Sequence, residues 1–109
     1  MNIKTGVEVA GESWCDVNLE SFTWSSGGRD VILTFLMHEN QVGVLTCTWA
    51  HSIKFNLTSR INEGGLPLSW NAKIEENDVN GWALLFDFSD RGVVELICNE
   101  ISLELRVRT

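Results

Sequence analysis

Five side chains in this sequence have the chemistry of metal ligands, or of a thiol nucleophile with its base: Cys15, Cys47, Cys98, His38 and His51. Successive cysteines stand 32 and 51 residues apart, so the close-spaced Cys pairs of structural zinc sites are absent. A nucleophilic centre built from Cys47 with His38 or His51 needs strands that bring them together. Alternating parity places His51 on the dry side of its strand, beside Trp49, as a core histidine. Cys47 and Cys98 lie inside apolar runs, where a thiol acts as a small hydrophobe.

Carboxylates form the second group. Glu75, Glu76 and Asp78 are close enough for general acid–base work or for a hard cation. The regular spacing of a calcium loop is missing, so the simpler reading is an acidic surface. Glu8, Glu12, Asp16 and Glu20 recur every four residues, which on a helix makes one negative stripe. Glu12, Asp16, Glu20, Glu75, Glu76 and Asp78 are therefore the candidate protein-binding residues. Gly27-Gly28 and Gly64-Gly65 lack the partners of a phosphate loop, and no Gly-x-Ser-x-Gly elbow occurs. The sequence assigns no catalytic, cofactor-binding or metal-ligating residue, and it predicts a protein that is not an enzyme.

The aromatic inventory is lopsided: five Trp, five Phe and no Tyr. Most of these belong in a core or an interface, because each carries a large apolar area. The sharper reading seats Trp24, Trp70 and Trp82 around a cleft for a sugar or another flat ligand, with Asn71 and Asn80 as polar neighbours.

These residues must be positioned by strands. Apolar residues recur with period two along much of the chain. Residues 45–57 form one long strand, or two short ones joined at a bend near Ala50-His51. Ile101, Leu103, Leu105 and Val107 alternate with polar residues in a closing strand. Residues 31–37, 82–88 and 93–98 are apolar on both faces, which predicts cover on both faces. Asn80-Gly81, Asp90-Arg91-Gly92 and Glu39-Asn40-Gln41 are tight-turn signals. Residues 58–69, with Gly64-Gly65 and the only proline, Pro67, form a loop. Residues 13–22 are either a short helix or a strand. Ser13 and Asp16 have capping-box spacing, and Cys15, Leu19 and Phe22 share a helical face. The prediction is a single all-β domain over residues 1–109: an antiparallel sandwich, half-barrel or roll of about seven strands, with one short N-terminal helix as an option.

Fifteen acidic against eight basic residues give a net charge of −7. That excludes generic binding to nucleic-acid backbones and to anionic membranes. No apolar stretch is long enough to span a bilayer, and residues 1–25 lack the apolar core of a secretory signal. With an odd number of distant cysteines, the expected compartment is the cytoplasm.

The runs Val31 to Leu36, Leu45–Leu57 and Val94-Glu95-Leu96-Ile97-Cys98 leading into Ile101-Ser102-Leu103 follow a recurrent pattern. It resembles small bacterial all-β domains, including some immunity proteins of polymorphic toxin systems. The resemblance covers residues 17–107 as pattern and carries over no functional residue. It implies an acidic, cytosolic, non-enzymatic protein that binds another protein. The expected function is thus a small interaction protein whose partner is itself, as a homodimer, or a basic protein that it inhibits. A small-ligand or carbohydrate module is the alternative. An enzyme built on Cys47 and His51 is the third class.

Overall fold

The computed structural model describes residues 2–58, 66–77 and 81–108. Its elements are β1 (Asn2–Thr5), α1 (Val7–Ala10), β2 (Val17–Ser25), β3 (Asp30–Leu36), β4 (Gln41–Thr48), β5 (His51–Leu57), β6 (Leu68–Ser69), β7 (Asn71–Asn77), β8 (Gly81–Asp87), β9 (Gly92–Cys98) and β10 (Glu100–Val107). One antiparallel sheet runs β1-β10-β4-β3-β2-β6, and the other runs β5-β9-β8-β7. They pack as an all-β sandwich, the first of the three predicted architectures.

Period-two alternation builds the core. Val31, Leu33 and Phe35 of β3, Leu45 and Cys47 of β4, and Leu103 of β10 are fully buried on the inner face of the larger sheet. Leu84, Phe86, Val94 and Leu96 oppose them from the smaller sheet. The run from Val31 is not covered on both faces as predicted. Ile32 and Leu36 are only half-buried, and no third layer lies over them among the described residues. Their cross-strand neighbours Thr46 and Val42 shield them within the same sheet.

Ten strands are present among the described residues, against about seven predicted. The extra ones carry little apolar signal. β6 has two residues, β1 has four, and β7 alternates half-buried Ala72 and Ile74 with exposed Lys73 and Glu75.

Residues 45–57 are two strands rather than one. β4 and β5 lie in different sheets, and the chain turns between them at Trp49, whose φ is 51. Residues 13–22 contain no helix. The helix is the four-residue α1 further upstream, Asp16 is a left-handed turn residue with φ 63, and β2 starts at Val17. Glu39 and Asn40, with φ of 57 and 59, make the tight β3–β4 hairpin. Gly92 has φ 121, and a Cβ there would lie 2.0 Å from the Asn56 carbonyl oxygen. Only glycine lets β5 pair with β9 at that point. The loop predicted over 58–69 and the Asn80-Gly81 turn fall largely outside the described residues.

Candidate functional site

β2 carries a bulge between Leu19 and Ser21 where it pairs with β3. The extra residue, Glu20, switches the parity of the strand. Before it, the odd residues Val17 and Leu19 face the core and are buried. After it the even residues take that face: Phe22 stands opposite Leu33 and Trp24 opposite Val31. This half of β2 has no strand on its far side among the described residues, since β6 pairs only with Val17 and Asn18. Phe22 is therefore half-buried, and Trp24 is 55% exposed.

The turn from β4 to β5 brings in the other wall. Asp30, at the start of β3, accepts the Trp49 backbone N–H at 3.1 Å. Ala50 N–H donates to the Arg29 carbonyl at 2.9 Å. The Arg29 guanidinium lies 4.9 Å from the centroid of the exposed Trp49 ring and makes a 3.4 Å contact with Asp30. The Trp49 N–H, more than the Arg29 and Ser26 side chains, holds the Asp30 carboxyl below its ordinary range against the opposing effect of desolvation. With the corner pinned, β5 runs along the open side of the sandwich and presents Phe55, 47% exposed, to Phe22 at 4.9 Å between ring centroids. Trp24 meets Phe22 edge-on at 5.7 Å.

The result is a seam between the edges of the two sheets, with Phe22 as its floor and Trp24 and Phe55 standing into solvent. Beside Phe22 and Phe55 a hollow of about 370 Å³ is bordered by Leu57, Pro67, Glu20 and Arg91. Such a surface binds by apolar contact and ring stacking.

Of the candidates from sequence, Trp24 and Glu20 belong to this seam. The three predicted cleft tryptophans do not share one hollow. Trp70 is exposed where β6 leads into β7, beside Leu68 and Phe88, and Trp82 is half-buried against Gly6 near β10. The predicted helical stripe of acids is not formed. Glu12 pairs with Lys4 at 2.5 Å, Asp16 sits in a turn, and Glu20 is the bulge residue. Glu75 and Glu76 are exposed on β7, where adjacent residues point to opposite faces, and Glu75 pairs with Lys73 at 3.6 Å. Asp78 lies outside the described residues. Phe22, Phe55, Trp49 and Asp30 were not singled out by sequence. The available signal was Phe22 and Trp24 two apart in a strand, masked by the bulge before them.

Neither histidine is in the core. His51 is exposed and bonds Ser52 Oγ at 3.2 Å, because the left-handed Trp49 and Ser52 break the parity that predicted a buried ring. His38 bonds the Cys15 carbonyl at 2.9 Å. Cys47 is buried, and its thiol interacts with Cys98. Among the described residues, no three His, Cys, Asp or Glu side chains gather as a metal-holding group. No helix among them is long and apolar enough to cross a membrane.

No family model matches the chain, and no curated protein does. Among solved structures, it is similar to the crystal structure of an uncharacterized protein from Neisseria gonorrhoeae. The TM-score is 0.66 and the identity 14%, over 95% of this chain and 98% of that one. At that identity the likeness is one of fold.

Proposed function

We propose that this chain is a small non-enzymatic protein-binding domain of the cytoplasm that takes its partner on the Phe22–Trp24–Phe55 seam. One observation carries the reading: two large aromatic side chains stand about half exposed on a third, along the open edge of the sandwich. Leaving so much apolar area in water has a cost that contact with a partner removes. Trp and Arg dominate the energetic centres of interfaces, and Trp49 with Arg29 flanks this cluster. The net charge of −7 favours capture of a basic partner, which fits inhibition of a protein such as a toxin. A second copy of the chain is the other partner consistent with an apolar seam. The hollow beside Phe22 and Phe55 supports a second reading, a platform for a flat ligand such as a sugar ring.

A photo-activated cross-linker placed at position 24 or 55, in the organism that encodes the chain, tests the main reading. The expected result is one protein adduct common to both positions and absent from the exposed controls Lys73 and Arg106. Its mass separates a second copy from a foreign partner. Equal labelling at all four positions, or none, refutes the seam as a protein-binding face. In that case, saturable binding of one sugar from a panel, measured by calorimetry and lost in Phe55→Ala, would support the second reading.

A further inference from the structure

Two thiols meet inside the sandwich. Cys47 lies on β4 of the larger sheet and Cys98 ends β9 of the smaller one, at 0% and 1% exposure. After Cys98 the chain crosses between the sheets. Asn99 N–H donates to the Thr48 carbonyl at 2.8 Å, so the residues next to the two cysteines are bonded to each other. Two residues further on, Ile101 stands opposite Cys47 in the β10–β4 ladder. The neighbouring Cys98 side chain first, and burial second, hold the Cys47 thiol well above its ordinary value. Cys15, by contrast, is exposed.

We propose that Cys47 and Cys98 are an oxidisable pair that closes into a disulfide between the two sheets when a small-molecule disulfide is the oxidant. The reaction is two successive exchanges. The Cys98 thiol loses its proton, attacks one sulfur of oxidised glutathione and releases one glutathione thiolate. The Cys47 thiol then loses its proton, attacks the Cys98 sulfur of the mixed disulfide and releases the second. The protein gives up two electrons and two protons, and the oxidant leaves as two thiols. Because both sulfurs are buried and Cys47 resists deprotonation, exchange waits for the sheets to part locally and is slow in the native state. The product locks β4 to β9 and cross-links chain positions 51 residues apart, which restricts the unfolded chain.

The test uses the Cys15→Ser variant, which removes the exposed thiol and leaves the core alone. After equilibration with oxidised glutathione, intact mass should fall by two hydrogens with no glutathione adduct. Peptide mapping without reductant should join the segments that carry residues 47 and 98. The melting temperature should rise by about 10 °C and return on reduction. A second variant, Cys15→Ser with Cys98→Ala, should show neither change. Thiols that stay free through full equilibration, or stable glutathione adducts without the cross-link, overturn the proposal. So does a cross-linked protein with an unchanged melting temperature, since the clamp would then hold nothing.

Discussion

Two aromatic clusters occupy this sandwich, with the same ring chemistry and opposite settings. In the core, Trp14 meets Phe35 and Phe86 edge-on at 5.1 and 5.4 Å. At the seam, Phe22 meets Trp24 and Phe55 edge-on at 5.7 and 4.9 Å. Trp14 is 4% exposed, and its indole N–H donates to the Val9 carbonyl at 3.1 Å. The outer rings of the seam are half in water. Ring geometry is therefore no guide to role; cover is. The core cluster has a sheet on each side. The seam lies where both sheets end among the described residues, so its rings are stacked and its two outer rings stand about half exposed. The first arrangement stabilises the fold, and the second leaves apolar area for something else to bury.

That contrast can be broken by mutation, and the largest effect is expected in the core. Phe35→Ala should destabilise by about 4 kcal/mol, read by denaturant unfolding, because its cavity cannot collapse between two sheets. Gly92→Ala should cost about 3 kcal/mol by the same measurement. It forces β5 away from β9 and so opens the seam from its base without touching the core rings. Phe22→Ala should cost about 2 kcal/mol, since the floor ring is half-buried and contacts both outer rings.

Asp30→Asn should lower the melting temperature by a few degrees by weakening the pinned corner. Its sign with pH is fixed. The carboxyl sits below its ordinary value of 3.8 in the folded chain, so it holds a proton less readily there than when unfolded. Its contribution is whole above 3.8 and is lost as pH falls through the lower folded value. Melting curves from about pH 7 to about pH 2 should therefore show an acid-dependent loss in the native chain that is reduced in Asp30→Asn. The smallest stability effect is expected from Trp24→Ala, about 1 kcal/mol or less, with loss of the cross-linked partner. If Trp24→Ala costs as much as Phe35→Ala, the two clusters are one core and the contrast fails.

The route from sequence to the seam failed at identifiable residues. Cys15, Leu19 and Phe22 have helical spacing, yet Leu19 and Phe22 share a face because a bulge stands between them. Residues 45–57 alternate cleanly, yet Trp49 and Ser52 adopt left-handed backbone and turn the alternation over. In both places one residue with unusual backbone reverses everything downstream, since strand parity has a period of two. Trp24 was legible as a candidate because a large ring near a turn is conspicuous. Phe55 is not legible as a site residue, because its parity with Cys47 runs through a corner that breaks it. The acidic candidates fared differently: a recurrence of four residues makes a stripe only on a helix, and that stretch is a turn followed by a strand.

Local composition determined much by itself. Period-two alternation and turn residues such as Asn40 made the chain antiparallel and all-β. The inward faces of β4 and β10 followed from where their apolar residues fall, whereas β3 and β9 are apolar on both faces in sequence and only packing selected one. The acidic balance fixed the net charge at −7. The tertiary structure alone decided which strands share a sheet, because β4 and β5 are contiguous in sequence and part company at one corner. It alone brought Phe22 to Phe55 and Cys47 to Cys98, pairs 33 and 51 residues apart. The physical reason is that cover is non-local. Whether a ring or a thiol is buried depends on which other segment arrives above it, and no pattern within its own strand contains that information.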